Sequence, residues 1–285
     1  MKTGLVLEGG AMRALFSVGV MDVLMENHIQ FDGAIGVSAG AAFGCNYKSN
    51  QPGRALRYNL KYCNDPRYCS FRSLIKTGDL FGVDFCYHEI PEKLDPFDEV
   101  VFENSPMEFY LVCTDLTTGK AIYRKCEKVD SQTLEWIRAS ASMPLAARVV
   151  DIDGYKLLDG GIADSIPLRK FEELGYQRNV VILTQPADYI KHKNKALPLL
   201  RLSLRKYPQF IQAAATRHHR YNATTRYVKK RAAEGDVFVI QPETALPIGH
   251  VEHHPEKLQA IYDIGRQTAH KQLAALRTFL ENTPT

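Results

Sequence analysis

Apolar residues along this chain come in two rhythms. Short apolar runs at residues 3–7, 31–37, 107–114, 180–183 and 237–240 fit strands, the most continuous of them buried on both faces as in a parallel sheet. Between them, apolar positions recur at helical spacing. Leu15, Val18, Met21, Val23, Leu24 and Met25 follow the first run and stop near Asn27. Further helices are predicted over 39–49, over 53–67 up to Asp65-Pro66, over 132–140 around Trp136, and from Asp164 to about 174. Pro208 splits two more, 197–206 and 208–233. The last helix, 256–280, carries the stripe Leu258, Ile261, Ile264, Ala269, Leu273, Leu276 and Leu280. Two hairpins are predicted: 107–114 returns through a turn at 115–119 to 121–124, and 148–152 pairs with 155–158 across Asp153-Gly154. Residues 68–96 follow neither rhythm and read as a cap or irregular insertion.

Strands alternating with helices imply an α/β fold. The first two strands are joined by a helix, so a right-handed parallel crossover sets their C-terminal ends side by side at the edge where open α/β sheets hold their sites. Two glycine-bearing turns then meet there. Residues 3–7 run into Glu8-Gly9-Gly10-Ala11-Met12-Arg13, a loop before a helix N-terminus that offers backbone N–H groups to an anion. Residues 31–37 run into Gly36-Val37-Ser38-Ala39-Gly40, a serine with glycines two places away on each side. That spacing suits a nucleophile exposed on a tight strand-to-helix turn. The same serine also reads as an ordinary helix cap. Asp159-Gly160-Gly161 follows the second hairpin, where two glycines let the backbone approach another element; alone it reads as a solvated turn.

Charge changes the picture in one region. The 285 residues carry +4 overall, but 191–231 holds twelve Lys and Arg with no Asp or Glu, leaving the rest acidic. This run reads either as a solvated helix face or as a docking surface for anionic membrane lipid; no nucleic-acid motif accompanies it. Composition is otherwise that of a globular protein, 45% hydrophobic and 24% charged. No signal peptide is expected, no apolar run approaches the roughly 20 residues of a membrane span, and six scattered cysteines suit free thiols in the cytoplasm. No zinc pattern is present, and neither metal nor cofactor is expected. A nucleotide fold is a poor match, since Ala11 and Ala14 stand where fingerprint glycines would be and no Walker lysine follows. His250, His253 and His254 keep a Ser-His-Asp triad open.

Taken together, the Gly9-Gly10 loop, the Ser38 elbow and Asp159-Gly160-Gly161 resemble the patatin-like phospholipase family, from about residue 4 to 186. Residues 139–144 and 115–119 support the likeness. The resemblance implies a three-layer α/β/α domain with a mostly parallel sheet over 1–285, the motifs lying in 4–186 and a basic helical segment and terminal helix in 187–285. It implies a serine acyl hydrolase of lipids with Ser38 as nucleophile, Asp159 as the catalytic carboxylate and no catalytic histidine. Gly9, Gly10, Ala11, Met12 and Arg13 would supply the oxyanion loop, and Gly36, Gly40, Gly160 and Gly161 the close turns. Ala11 and Ala14 depart from the family's glycines; if residue 11 takes φ > 0, alanine costs of order 1 kcal/mol there. Acyl transfer, or a lipid- or anion-binding protein with little turnover, are the alternatives.

Overall fold

Leu5 and Leu7 pack on one side of a sheet and Val6 on the other, and all three are fully buried. The same alternation marks neighbouring strands: Phe109, Leu111 and Cys113 face one layer, Tyr110 and Val112 the other. A sheet apolar on both faces must be covered twice, and the computed structural model, described here for residues 1–281, has helices on both sides.

In chain order the elements are β1 (Lys2–Leu7), α1 (Leu15–Glu26), β2 (Gly33–Val37), α2 (Ala39–Lys48), α3 (Arg54–Tyr62), α4 (Phe71–Thr77), α5 (Glu99–Asn104), β3 (Glu108–Asp115) and β4 (Ala121–Cys126). There follow α6 (Ser131–Ala141), β5 (Val150–Ile152), β6 (Tyr155–Asp159), α7 (Leu168–Glu173), β7 (Tyr176–Ile182), α8 (Leu197–Ser203), α9 (Pro208–Ala233), β8 (Val237–Ile240) and α10 (Pro255–Glu281). Short 3-10 turns occupy Ala11–Ala14 and Gly160–Ile162. The sheet has eight strands in the order β5-β6-β3-β2-β1-β7-β8, with β4 on the other edge of β3. The pairs β3–β2, β2–β1, β1–β7 and β7–β8 are parallel; β4, β5 and β6 enter antiparallel.

Helices α1, α2, α6 and α10 cover one face, and α7 and α9 the other. The strand β8 and helix α10 come from the end of the chain, yet extend the sheet and pack on α1.

Several boundaries differ from the pattern. Residues 68–96 contain α4 and a wide π-helical segment, Phe85–Leu94, with Pro91 inside it. α4 buries none of its residues, and a π-helix breaks the 3.6-residue rhythm, so neither shows as periodicity. α3 stops at Tyr62, short of 67. β7 starts at Tyr176, four residues early, because Arg178 and Asn179 are buried by pairing: Arg178 donates to the Phe279 carbonyl and the Asn179 amide to that of Tyr176.

Candidate active site

The strand β3 assembles the site. β4 runs along one of its edges from Phe109 to Thr114. On the other edge β2 reaches Val37, opposite Val112, and turns away. β6 takes over that edge, antiparallel, with Asp159 opposite Cys113. Because Val112 and Cys113 are consecutive, the residue after Val37 and the last residue of β6 come side by side.

Ser38 links β2 to α2 with φ 57° and ψ −126°, a conformation L residues avoid at about 1–3 kcal/mol. Its flanking glycines permit this. A side chain on Gly40 would stand 2.7 Å from the Leu7 carbonyl oxygen, and one on Gly36 would overlap the Gly40 carbonyl. The Ser38 N–H donates to Ser140 Oγ at 2.9 Å, and Ser140 Oγ donates to the Val112 carbonyl at 2.6 Å, so α6 latches the turn to β3.

Asp159 is buried and accepts the Gly161 N–H at 2.7 Å. The Ser38 hydroxyl lies close enough to its carboxylate to favour the charged form. Burial nevertheless pushes the Asp159 carboxyl above the usual carboxylate range, against the pull of Ser38, the Arg217 charge, the Gly161 N–H and the Lys191 charge. Thr114 Oγ1 donates to the Asp159 carbonyl at 2.8 Å and fixes the turn.

The Gly9-Gly10 loop borders Ser38 directly. A side chain on Gly9 would stand 2.9 Å from Ser38 Cβ, and one on Gly10 2.7 Å from Thr184 Oγ1. Ala11 takes φ 49°, so the departure from glycine falls at a left-handed position; Ala14, at φ −67°, is helical and unstrained. The N–H groups of Gly10, Ala11 and Met12 have no backbone partner among the described residues. Beside Ser38 opens an apolar pocket of about 1170 Å³, open solvent at its mouth included, walled by Met12, Phe43, Tyr58, Phe81, Ile90 and Ile137. The irregular 68–96 stretch is therefore one wall of this pocket.

Arg13, Lys191 and Arg217 also approach the site. Burial and the neighbouring arginine charges lower Lys191 to about 8, against the pull of Glu8 and Asp159. Glu8 is buried and accepts from Thr184 N at 2.7 Å and Tyr221 Oη at 2.7 Å. Sequence alone assigns none of Glu8, Ser140, Lys191, Arg217 or the pocket residues to the site, apart from Met12, which belongs to the oxyanion loop. Lys191 and Arg217 lay in the basic run, but nothing local separates an inward cation from its neighbours. Of the late histidines, His253 Nδ1 contacts the Cys63 carbonyl and His254 pairs with Glu252. His250 is exposed, its pKa lowered by partial burial and then by the charges of Arg13, Lys191 and Arg217. Among the described residues no hydrogen bond joins these histidines to Ser38, and no group of three or more His, Cys, Asp or Glu could hold a metal ion.

An eight-stranded mixed sheet flanked by helices, with a strained serine turn and a buried aspartate at one edge, defines an α/β protein. The profile of the patatin-like phospholipases matches residues 5–171, more than half of the chain, and the chain belongs to that family. Residues 207–281 match a domain of unknown function, DUF6363. YjjU of Escherichia coli K12, described as uncharacterized, is 26% identical over 98% of this chain and 79% of its own length. The neuropathy target esterase sws of Drosophila melanogaster is 24% identical over 63% of this chain, and a putative patatin-like phospholipase domain-containing protein of Caenorhabditis elegans, M110.7, 26% over 63%. The chain spans only 12% and 16% of those two proteins, respectively. Among solved structures, VipD of Legionella pneumophila aligns with 96% of this chain and 67% of its own at 12% identity and a TM-score of 0.48.

Proposed function

We propose that this protein hydrolyses acyl esters of lipids through a Ser38–Asp159 dyad. The observation that carries this reading is the strained Ser38 turn, facing a raised, buried Asp159 at the end of an apolar pocket. In this mechanism the acyl chain lies in the pocket and Ser38 Oγ attacks the ester carbonyl carbon while Asp159 accepts the hydroxyl proton. The N–H groups of the Gly9–Arg13 loop hold the negative oxygen of the tetrahedral intermediate. The C–O bond to the alcohol breaks, and Asp159 returns the proton to the departing oxygen. Water then attacks the acyl-serine, losing a proton to Asp159, and collapse releases the fatty acid and restores the Ser38 hydroxyl.

An aspartate at its ordinary pKa near 3.9 is a weak base. The raised Asp159 is a better one, and must be ionised to act. The rate is therefore expected to rise with pH through a pKa above the usual carboxylate range. Ser38→Ala is expected to abolish p-nitrophenyl-ester hydrolysis and fluorophosphonate labelling, and Asp159→Asn to lower kcat about 10²–10⁴-fold. Labelling of the Ser38→Ala protein at the wild-type rate would sink the reading. Activity lost in His250→Ala but kept in Asp159→Asn would point to a histidine-dependent triad.

The outer side of α8 is assigned in this reading to membrane contact. On α8, Leu199, Arg201 and Leu202 are exposed, and in the adjoining chain so are Ile190, Lys193, Lys195 and Arg205.

A further inference from the structure

Three cations from three parts of the chain lie near one another beside the site: Arg13 at the entry to α1, Lys191 in the loop after β7, and Arg217 on α9; the charges of Lys191 and Arg217 reach Asp159. Two of them lie outside the residues that match the patatin-like profile. The Lys191 ammonium lies within charge range of Arg13 and Arg217, and of Glu8 and Asp159. Arg217 Nη2 would stand 2.9 Å from a side chain placed on Gly161, the residue whose N–H binds Asp159. None of the three lines the apolar pocket, although Met12 and Ser38 do.

These cations are held in place but not neutralised. Lys191 Nζ sits over the Tyr221 ring, 4.4 Å from its centre, and 5.6 Å from that of Tyr189. The Tyr221 hydroxyl is fixed by Glu8, whose carboxylate is otherwise spent on Thr184 N and Thr184 Oγ1. Arg217 has Ser165 Oγ at 3.4 Å. The Nε atoms of Arg13 and Arg217 are buried without a hydrogen-bond partner among the described residues, and no carboxylate there comes within ion-pair distance of any of the three. Elsewhere enclosed arginines have partners: Arg54 pairs with Asp95 and Arg231 with Glu172, while Arg178 and Arg220 donate to backbone carbonyls. Burying guanidinium nitrogens without partners is unfavourable unless a ligand supplies them. Three cations face two carboxylates, so the site retains positive charge, beside the serine but apart from the acyl pocket. The portion of an ester that lies there is the leaving alcohol.

We propose that Arg13, Lys191 and Arg217 form a subsite for a phosphate carried by the leaving alcohol, so that acyl esters of glycerol phosphate are preferred to neutral acylglycerols. The substrate claim rests on the hydrolase reading; the phosphate site does not. A phosphate monoester brings nearly two negative charges and three acceptor oxygens, and suits both guanidinium and ammonium donors. Lys191 and Arg217 would thus give a head-group preference to the family's core from outside it.

Two readouts test this. The first is calorimetric binding of sn-glycerol 3-phosphate and of inorganic phosphate to the full chain. The second is the ratio of kcat/KM for a 1-acyl-glycerol 3-phosphate to that for the monoacylglycerol with the same acyl chain. Wild type is expected to bind glycerol phosphate more tightly than inorganic phosphate and to favour the phosphorylated ester. Lys191→Gln and Arg217→Gln are each expected to weaken binding and lower the ratio at least tenfold. Lys61→Gln, which removes the same charge from an exposed position on α3 outside the basic run, is expected to leave both unchanged. An equal loss on both esters in Lys191→Gln, with binding intact, would mean that the cations serve the oxyanion, and would overturn the proposal. So would a similar drop in Lys61→Gln, or binding of inorganic phosphate alone. Glycerol phosphate bound through Lys191 by a protein that cleaves neither ester would refute the hydrolase reading and leave the subsite standing; ester cleavage without glycerol phosphate binding would do the reverse.

Discussion

Ser38 keeps a backbone conformation that its own residue type resists, because both strand and helix are pinned around it: Gly36 and Gly40 bring their backbones into contact, and Ser140 holds the Ser38 N–H. Strain of this kind persists only where the surroundings over-determine it. Ser38→Gly is therefore expected to raise stability by about 1 kcal/mol, the relief of strain less the extra entropy glycine gains on unfolding. Ser38→Ala should bring no such gain, since alanine keeps the Cβ. Urea unfolding of the two variants separates the cases, and a glycine variant less stable than the alanine one would show that the turn is relaxed. At this scale much was legible. The glycine spacing marks the serine turn, since close approach of strand and helix demands it. Ala11 could be marked as a departure, though its φ of 49° is a property of the folded loop.

Helix α10 shows how an element can be legible while its contact is not. The apolar stripe locates the helix and several of its buried residues, Leu258, Ile261, Ala269 and Leu276. Its closest approach to α1, however, is made by residues without a hydrophobic signature. A side chain on Gly265 would overlap the Phe16 carbonyl, and one on Gly19 the Tyr262 carbonyl. Asp22, buried in the same crossing, accepts from the Tyr262 hydroxyl and the Gly53 N–H, each at 2.9 Å, and burial raises it to about 6. Arg266 pairs with Glu26 at its edge. Gly265→Val is expected to force the helices apart and destabilise the protein by about 1–3 kcal/mol or more. Tertiary overpacking of this kind is read by urea unfolding; a variant of unchanged stability would show that the crossing is loose.

Across the whole molecule, the basic run 191–231 divides by direction. Lys191 and Arg217 turn toward Asp159, Arg220 donates to the Ile162 and Ala163 carbonyls, and Arg231 pairs with Glu172, Glu234 and Asp236. Lys193, Lys195, Arg201, Arg205 and Lys206 are exposed, as are Leu199 and Leu202. Among the described residues no helix is long and apolar enough to cross a membrane. With about 1 kcal/mol for each cation near an anionic surface, screened by salt, co-sedimentation with anionic vesicles is expected at low salt and not at high salt. Arg201→Glu with Arg205→Glu should weaken it; these are better probes than Lys229 and Lys230, which bond the Ala187 carbonyl and Glu234. Equal binding to zwitterionic vesicles would remove this role. The α/β class, the three motif turns and the family follow from sequence alone, because strand rhythm, helix rhythm and turn chemistry are local properties of neighbouring residues. Tertiary structure alone showed how Asp159, which the resemblance paired with Ser38, reaches it, with β6 replacing β2 on the edge of β3, and decided that 68–96 walls a pocket and that Lys191 and Arg217 face inward. Strand register and packing create these contacts between residues far apart in the chain, and no local pattern encodes them.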